Sequence, residues 1–252
     1  MKLVFYFVLL LTPLVSCDKK KLFEGPSNFS EDFESYDSIE KLIDGNNLRW
    51  SYFQNTVDKN NITLDTTLTH SGKKSIHFQA EANSNTVSKA SVAKQKMAFW
   101  EGDIMVVEAW YFIKGDQNLD WLFLMDLEEQ AAIGAGPGMR LALVDNKIRV
   151  EHKYFNKDII QNESKAIPFP RNQWVKIRFE TLLSKKKKGY VKIYQDDFLI
   201  IKQENWKTLP TDFLYFQQGT KGMYSSIEFG ITANSSSNSV DLYVDDINAY
   251  KK

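Results

Sequence analysis

Cysteine is nearly absent from this chain: a single one stands among 252 residues. One thiol excludes an intramolecular disulfide, and it cannot anchor a zinc or iron–sulfur cluster. Histidine is scarce at three residues, and His70, His77 and His152 do not make a metal pair by spacing. An excess of one charge sign is missing too, since 32 Lys and Arg meet 32 Asp and Glu. No global field then draws nucleic acid, so a dedicated nucleic-acid module is excluded and any charged partner must be met by a local patch. Walker and Rossmann glycine patterns are absent. The cluster Gly134-Ala135-Gly136-Pro137-Gly138 lacks the Lys-Ser/Thr ending of a phosphate loop and is expected to be a mobile loop between strands. What the chain does have is 13% aromatic residues and the length for a large core, which excludes disorder of the whole.

The N-terminus is a segment of its own. Lys2 precedes an apolar run through Leu11, and Leu14-Val15-Ser16-Cys17 follows. This is the layout of a secretory signal, and the run is shorter than the roughly 20 apolar residues that span a bilayer. It resembles the bacterial lipoprotein signal, in which Leu-x-small-Cys is cut before a cysteine that is then lipidated. That resemblance implies a signal peptide over 1–16 and a lipidated Cys17 with a polar tether through residue 30. Each buried acyl methylene contributes about 0.8 kcal/mol, so several chains anchor stably. Export and membrane tethering in the bacterial cell envelope are the expectation.

Residues 31–252 read as one all-β domain. Runs of period two, rich in β-branched and aromatic residues, occur at Ser75–Gln79, Met105–Ile113, Trp121–Leu127, Met139–Val144, Lys147–Phe155, Gln173–Thr181, Gly189–Tyr194, Phe198–Lys202, Ser225–Thr232 and Val240–Tyr250. Turn residues such as Asp145-Asn146 separate them. Only Ser38–Ile43 predicts a helical turn or two. In Gln173–Thr181, Val175, Ile177 and Phe179 share one face and Trp174, Lys176 and Arg178 the other, as in a sheet with one face on the core. Both faces of Met105–Ile113 are mostly apolar, which predicts a central strand covered on both sides or one whose second face lines a groove. Two antiparallel sheets packed as a jelly-roll sandwich satisfy this pattern.

Ile167-Pro168-Phe169-Pro170-Arg171-Asn172-Gln173-Trp174-Val175 followed by Gly189-Tyr190-Val191-Lys192-Ile193-Tyr194-Gln195-Asp196-Asp197 resembles a hairpin of concanavalin A-like lectin/glucanase domains. The closing Val240–Ile247 segment and Glu31-Asp32-Phe33-Glu34 are similar to the last and first strands of such domains. Tyr215-Phe216-Gln217-Gln218-Gly219-Thr220-Lys221-Gly222-Met223-Tyr224 resembles the Tyr-Phe-Lys-x-Gly-x-Tyr segment of jelly-roll polysaccharide lyases, of the heparin lyase I, glucuronan lyase and alginate lyase kind. The resemblance implies a polysaccharide partner, an acidic one, and a catalytic acid or base at Tyr224. Gln217 replaces the family lysine, two extra residues precede Tyr224, the paired Gln-x-His has no counterpart, and Glu108 stands without its arginine. These departures favour the alternative: a non-catalytic carbohydrate-binding surface lipoprotein that has lost its acid–base set.

β-Elimination needs a carboxylate neutraliser, a base and an acid. His152 and Tyr154 share parity, and Arg140 on the preceding strand faces them across a hairpin turned at Asp145-Asn146, so the candidate catalytic set is Arg140, His152, Tyr154 and Tyr224. His152 also shares its face with Ile148 and Val150, as a core histidine would. Sugar contacts are expected from flat aromatic and polar side chains at Glu108, Trp110, Trp174, Tyr190, Tyr194 and Gln217. A glycosidase needs two carboxylates about 5 to 10 Å apart; Asp126-Leu127-Glu128-Glu129 lacks the Glu-x-Asp-x-x-Glu spacing used on this fold and reads as a solvated acidic turn. No cofactor is required. Asp32, Glu34, Asp245 and Asp246, on terminal strands that a jelly roll sets side by side, suggest a structural calcium, with salt bridges or plain exposure as the alternatives.

Overall fold

Alternating side chains give many of the strands one apolar face, and the strands form two sheets closed on one core. The computed structural model describes residues 21, 24–43, 49–131, 134–152, 157–209, 221–235 and 237–252, with the side chains of 129–131 and 134–137 outside the description. The strands are β1 (Asn28–Glu31), β2 (Tyr52–Asn55), β3 (Asn61–Asp65), β4 (Ser75–Ala80), β5 (Ser88–Lys94), β6 (Phe99–Trp100), β7 (Ile104–Lys114), β8 (Trp121–Ala131) and β9 (Gly134–Val144). They continue as β10 (Lys147–His152), β11 (Ile159–Ile160), β12 (Val175–Leu182), β13 (Gly189–Gln195), β14 (Phe198–Trp206), β15 (Met223–Tyr224), β16 (Ser226–Asn234) and β17 (Val240–Lys251). Two 3-10 turns, Ile39–Leu42 and Glu163–Lys165, are the helical content among the described residues.

The first sheet has the order β14-β13-β12-β7-β17-β4-β3, with β1 also paired to β17; the second runs β11-β10-β9-β8-β16-β5-β2. The strand pairs in both are antiparallel. The chain is therefore an all-β two-sheet sandwich. Its two latest long strands are the bridging ones: β16 joins β8 to β5, and β17 joins β7 to β4.

The predicted parity of β12 holds: Val175, Ile177 and Phe179 are buried while Lys176 and Arg178 face out. From β7, Val107, Ala109, Tyr111 and Ile113 enter the core and meet Leu122, Leu141, Leu143, Val150 and Phe229 of the second sheet. Two hairpins turn on adjacent residues with positive φ, Asp145-Asn146 and Asp196-Asp197. That is the backbone a two-residue loop needs to match strand twist, and Asn and Asp tolerate it best after glycine.

Three expectations change. Residues 28–30, assigned to the tether, form β1 against Tyr250, Ala249 and Asn248. The glycine cluster from Gly134 opens β9 instead of a loop and pairs with β8. Only glycine fits at 138, because a Cβ there would stand 1.7 Å from the Leu127 carbonyl oxygen. Asp126-Leu127-Glu128-Glu129 lies within β8 and is no turn.

Candidate functional site

Parity and register together decide which side chains share a surface. Of the sequence candidates, Tyr154, Gln217 and Cys17 lie outside the described residues. Tyr224 has no exposed surface, and its hydroxyl donates to the carbonyl oxygen of Thr208 at 2.7 Å. His152 is 4% exposed and points into the core beside Ile148 and Val150. Burial pushes its pKa down to about 4, so it is neutral at physiological pH. Arg140 pairs with Glu151, not His152, and sits on the opposite face of β9 from the core residues Met139 and Leu141. The structure therefore does not gather Arg140, His152 and Tyr224, because β-pleating sends neighbours in adjacent registers to opposite faces.

The proposed sugar strip does share one surface, the outer face of the first sheet, but its rings are already engaged. His70 stacks on Trp110 with centroids 3.7 Å apart, and the Arg178 guanidinium lies 4.0 Å over Tyr194. Lys192 lies 4.7 Å over Tyr190, while Lys176 pairs with Glu108 at 3.6 Å. Trp174 packs edge-on against His70 and Phe112.

The candidate calcium carboxylates are occupied by protein donors. Asp245 accepts the backbone N–H groups of His70, Ser71 and Asp246; Asp246 holds the His70 ring and the Ser71 hydroxyl. Glu34 accepts the N–H groups of Lys73 and Lys74, and Asp32 accepts that of Glu34. The neighbouring Glu31 binds the Tyr36 hydroxyl and the Trp50 indole. These contacts tie the loop after β1, and β17, to residues 70–74 between β3 and β4.

The second sheet carries an arrangement that sequence reading missed. Register places Tyr52, Ala93, Glu228, Asp126, Arg140 and Glu151 in one continuous row across β2, β5, β16, β8, β9 and β10. Direct cross-strand partners point to the same face, here the face away from the core. Glu128 lies two residues along β8 from Asp126 and faces Ser226 across the ladder. Carboxylate oxygens of Asp126, Glu128 and Glu228 all lie within 4.8 Å of one another. Although outward-facing, Asp126 and Glu228 are each only 2% exposed. Ser91 donates to Glu228, and Thr232 donates to Asp126 at 2.8 Å. The Tyr52 phenol stays protonated, its pKa raised by burial first and then by Glu228, Glu128 and Asp126.

Arg140 connects this acidic end to a cavity of about 410 Å³ on the same face, lined by Trp121, Phe123, Arg140, Arg149, Glu151 and Asp158 among others. Its guanidinium stacks 3.8 Å over Phe123 and bonds Glu151 at 2.8 Å, with Asp126 at 4.0 Å. A signal for Glu228 was present in the sequence: an acidic residue at outward parity within the apolar run Ile227-Glu228-Phe229. Its pairing with Asp126, a hundred residues earlier, was not.

No protein-family model and no curated protein sequence matches the chain. Solved structures do. An endo-β-1,4-glucuronan lyase from the fungus Trichoderma reesei superposes with a TM-score of 0.66 at 10% identity, over 92% of this chain and 96% of that one. A cellulose-induced protein, Cip1, gives 0.59 at 13% identity over 88% and 96%. The alginate lyase Aly36B gives 0.57 at 9% identity over 90% and 98%. The chain has the jelly-roll sandwich fold of these proteins.

Proposed function

We propose that this protein is an exported, Cys17-lipidated binder of an acidic polysaccharide, that it holds the glycan across the outer face of its second sheet, and that it lacks a Tyr224–His152 acid–base pair. The observation that carries the reading is the row from Tyr52 to Glu151 with its adjoining aromatic cavity. Half-buried Trp121 offers apolar ring surface for a pyranose, Arg140 and Arg149 offer charge-assisted donors that a uronate would share with Glu151 and Asp158, and the row supplies acceptors for hydroxyls. The fold shared with lyases whose names specify glucuronan and alginate supports the substrate class. The burial of both acid–base candidates speaks against turnover through them, since a general acid or base must come within hydrogen-bond reach of the reacting group.

The test is affinity gel electrophoresis of the chain from Asp18 onward in gels of alginate, glucuronan, heparin and neutral glucans, with absorbance followed at the unsaturated-uronate band. Retardation by an acidic polymer without a rise in absorbance is expected. Trp121→Ala should abolish retardation and Trp174→Ala should leave it. An absorbance rise lost in Tyr224→Phe would overturn the non-catalytic reading, and retardation lost only in Trp174→Ala would move the site to the first sheet.

A further inference from the structure

Glycan recognition alone leaves the acidic end of the row unexplained. Two buried carboxylates and a half-buried third are costly to hold together, and their field opposes the approach of a uronate. The geometry instead suits an ion. Two oxygens on opposite sides of a calcium, each at about 2.4 Å, stand about 4.8 Å apart, so ligand oxygens of one ion fall within that separation. The oxygens of Asp126, Glu128 and Glu228 meet this limit.

A second, independent feature points the same way. Ser226 is 3% exposed, and its hydroxyl has no hydrogen-bond partner. It stands directly across the ladder from Glu128 and two residues before Glu228, on the same face. A buried hydroxyl without a partner costs about 1 to 3 kcal/mol, and an oxygen-seeking cation beside it would supply the missing contact. The Thr232 hydroxyl, already on Asp126, adds another oxygen at the same place. The donors are all oxygen, with neither thiol nor imidazole among them, which selects a hard cation. They come from two strands and flexible Glu side chains, which suits calcium's variable coordination better than the rigid octahedron of magnesium.

We propose that Asp126, Glu128, Glu228 and the Ser226 hydroxyl form a calcium-class cation site on the outer face of the second sheet. The site is distinct from the terminal-strand carboxylates, which bind backbone N–H groups, the His70 ring and the Ser71 hydroxyl. The ion gives the glycan face a positive centre beside Arg140, and so lets a polyuronate lie over residues that would otherwise repel it. The inference deepens the glycan reading but is tested without any glycan.

The chain from Asp18 onward, stripped with a chelator, is titrated with calcium chloride by calorimetry and with terbium chloride by luminescence excited through its aromatic residues. One saturable ion per chain is expected, with magnesium at least about tenfold weaker. Glu128→Gln and Glu228→Gln should each weaken binding by at least about tenfold, because affinity follows the number of charged ligands. Ser226→Ala, which removes one oxygen and leaves the fold's charges intact, should weaken it severalfold and serves if a carboxylate variant fails to fold. Absence of saturable binding overturns the proposal, as does binding unchanged in Ser226→Ala and in the folded Gln variants. Cation binding with no retardation in any polysaccharide gel would sustain the ion site while removing the glycan reading.

Discussion

Replacing Tyr224 by Phe separates a structural phenol from a catalytic one. The hydroxyl is buried and donates at 2.7 Å to the carbonyl of Thr208, itself fully buried. Phe keeps the ring, which packs against β8 and β9 where Gly138 makes room for it. The hydroxyl's bond to that carbonyl is lost, and what remains is a buried carbonyl with one partner fewer. A typical bond contributes about 1 kcal/mol, and stranding its acceptor raises the loss to about 1–3 kcal/mol. For a domain of this size each kcal/mol moves Tm by roughly 2–4 °C; a loss near 2 kcal/mol therefore lowers Tm by roughly 4–8 °C. Thermal and urea unfolding should show the shift with an unchanged urea m-value, and polysaccharide retardation should persist below the transition. Unaltered stability together with lost glycan turnover would refute the reasoning and return Tyr224 to the chemistry.

Two buried groups should oppose one another in acid. Burial raises Asp245 to about 6, so it adds stability that is complete below its unfolded pKa and is lost as pH rises through 6. Burial lowers His152 to about 4, so it adds stability above its unfolded pKa that is lost as pH falls through 4. Each shift corresponds to about 3 kcal/mol, and between about pH 4 and 6 the two nearly offset. Urea unfolding of His152→Phe should show stability rising as pH falls from 7 to 4, while Asp245→Asn should show it falling; parallel profiles in both variants would contradict the assignment. Gly138→Ala forces a Cβ to 1.7 Å from the Leu127 carbonyl and should cost at least about 3 kcal/mol or prevent folding, read by circular dichroism; a native-like Tm would show that β8 and β9 separate easily.

Strands with strong local signals were legible and those defined by distant partners were not. β12 and β13 alternate β-branched and charged residues, and the β9–β10 hairpin carries Asp145-Asn146, so side-chain parity and turn chemistry agree. β5, Ser88–Lys94, is built from two Ser, two Lys, two Ala and a single Val, too weakly apolar to announce a strand, yet it lies between β16 and β2. β2 is four residues long, and with it Tyr52 went unnoticed. The acidic group was hidden for a related reason: Asp126 and Glu128 share parity in plain view, but Glu228 joins them only through register with β16. His152 shows the opposite failure. Its parity with Ile148 and Val150 already pointed inward, and burial of that face was the stronger physical signal than its chemistry.

The order of the strands also sets when this protein can fold. β16 and β17 occupy the middles of the two sheets. A growing chain that ends before residue 226 holds the edges of a sandwich without its centre: β7 and its neighbours on one side, β3 and β4 on the other, with their ladders unfilled. Such long-range pairing makes folding slow and late, because little of the loop-closure entropy is recovered until the last strands insert. Until β16 and β17 join, the apolar faces of the remaining strands have no central partner and the loop-closure cost is not offset.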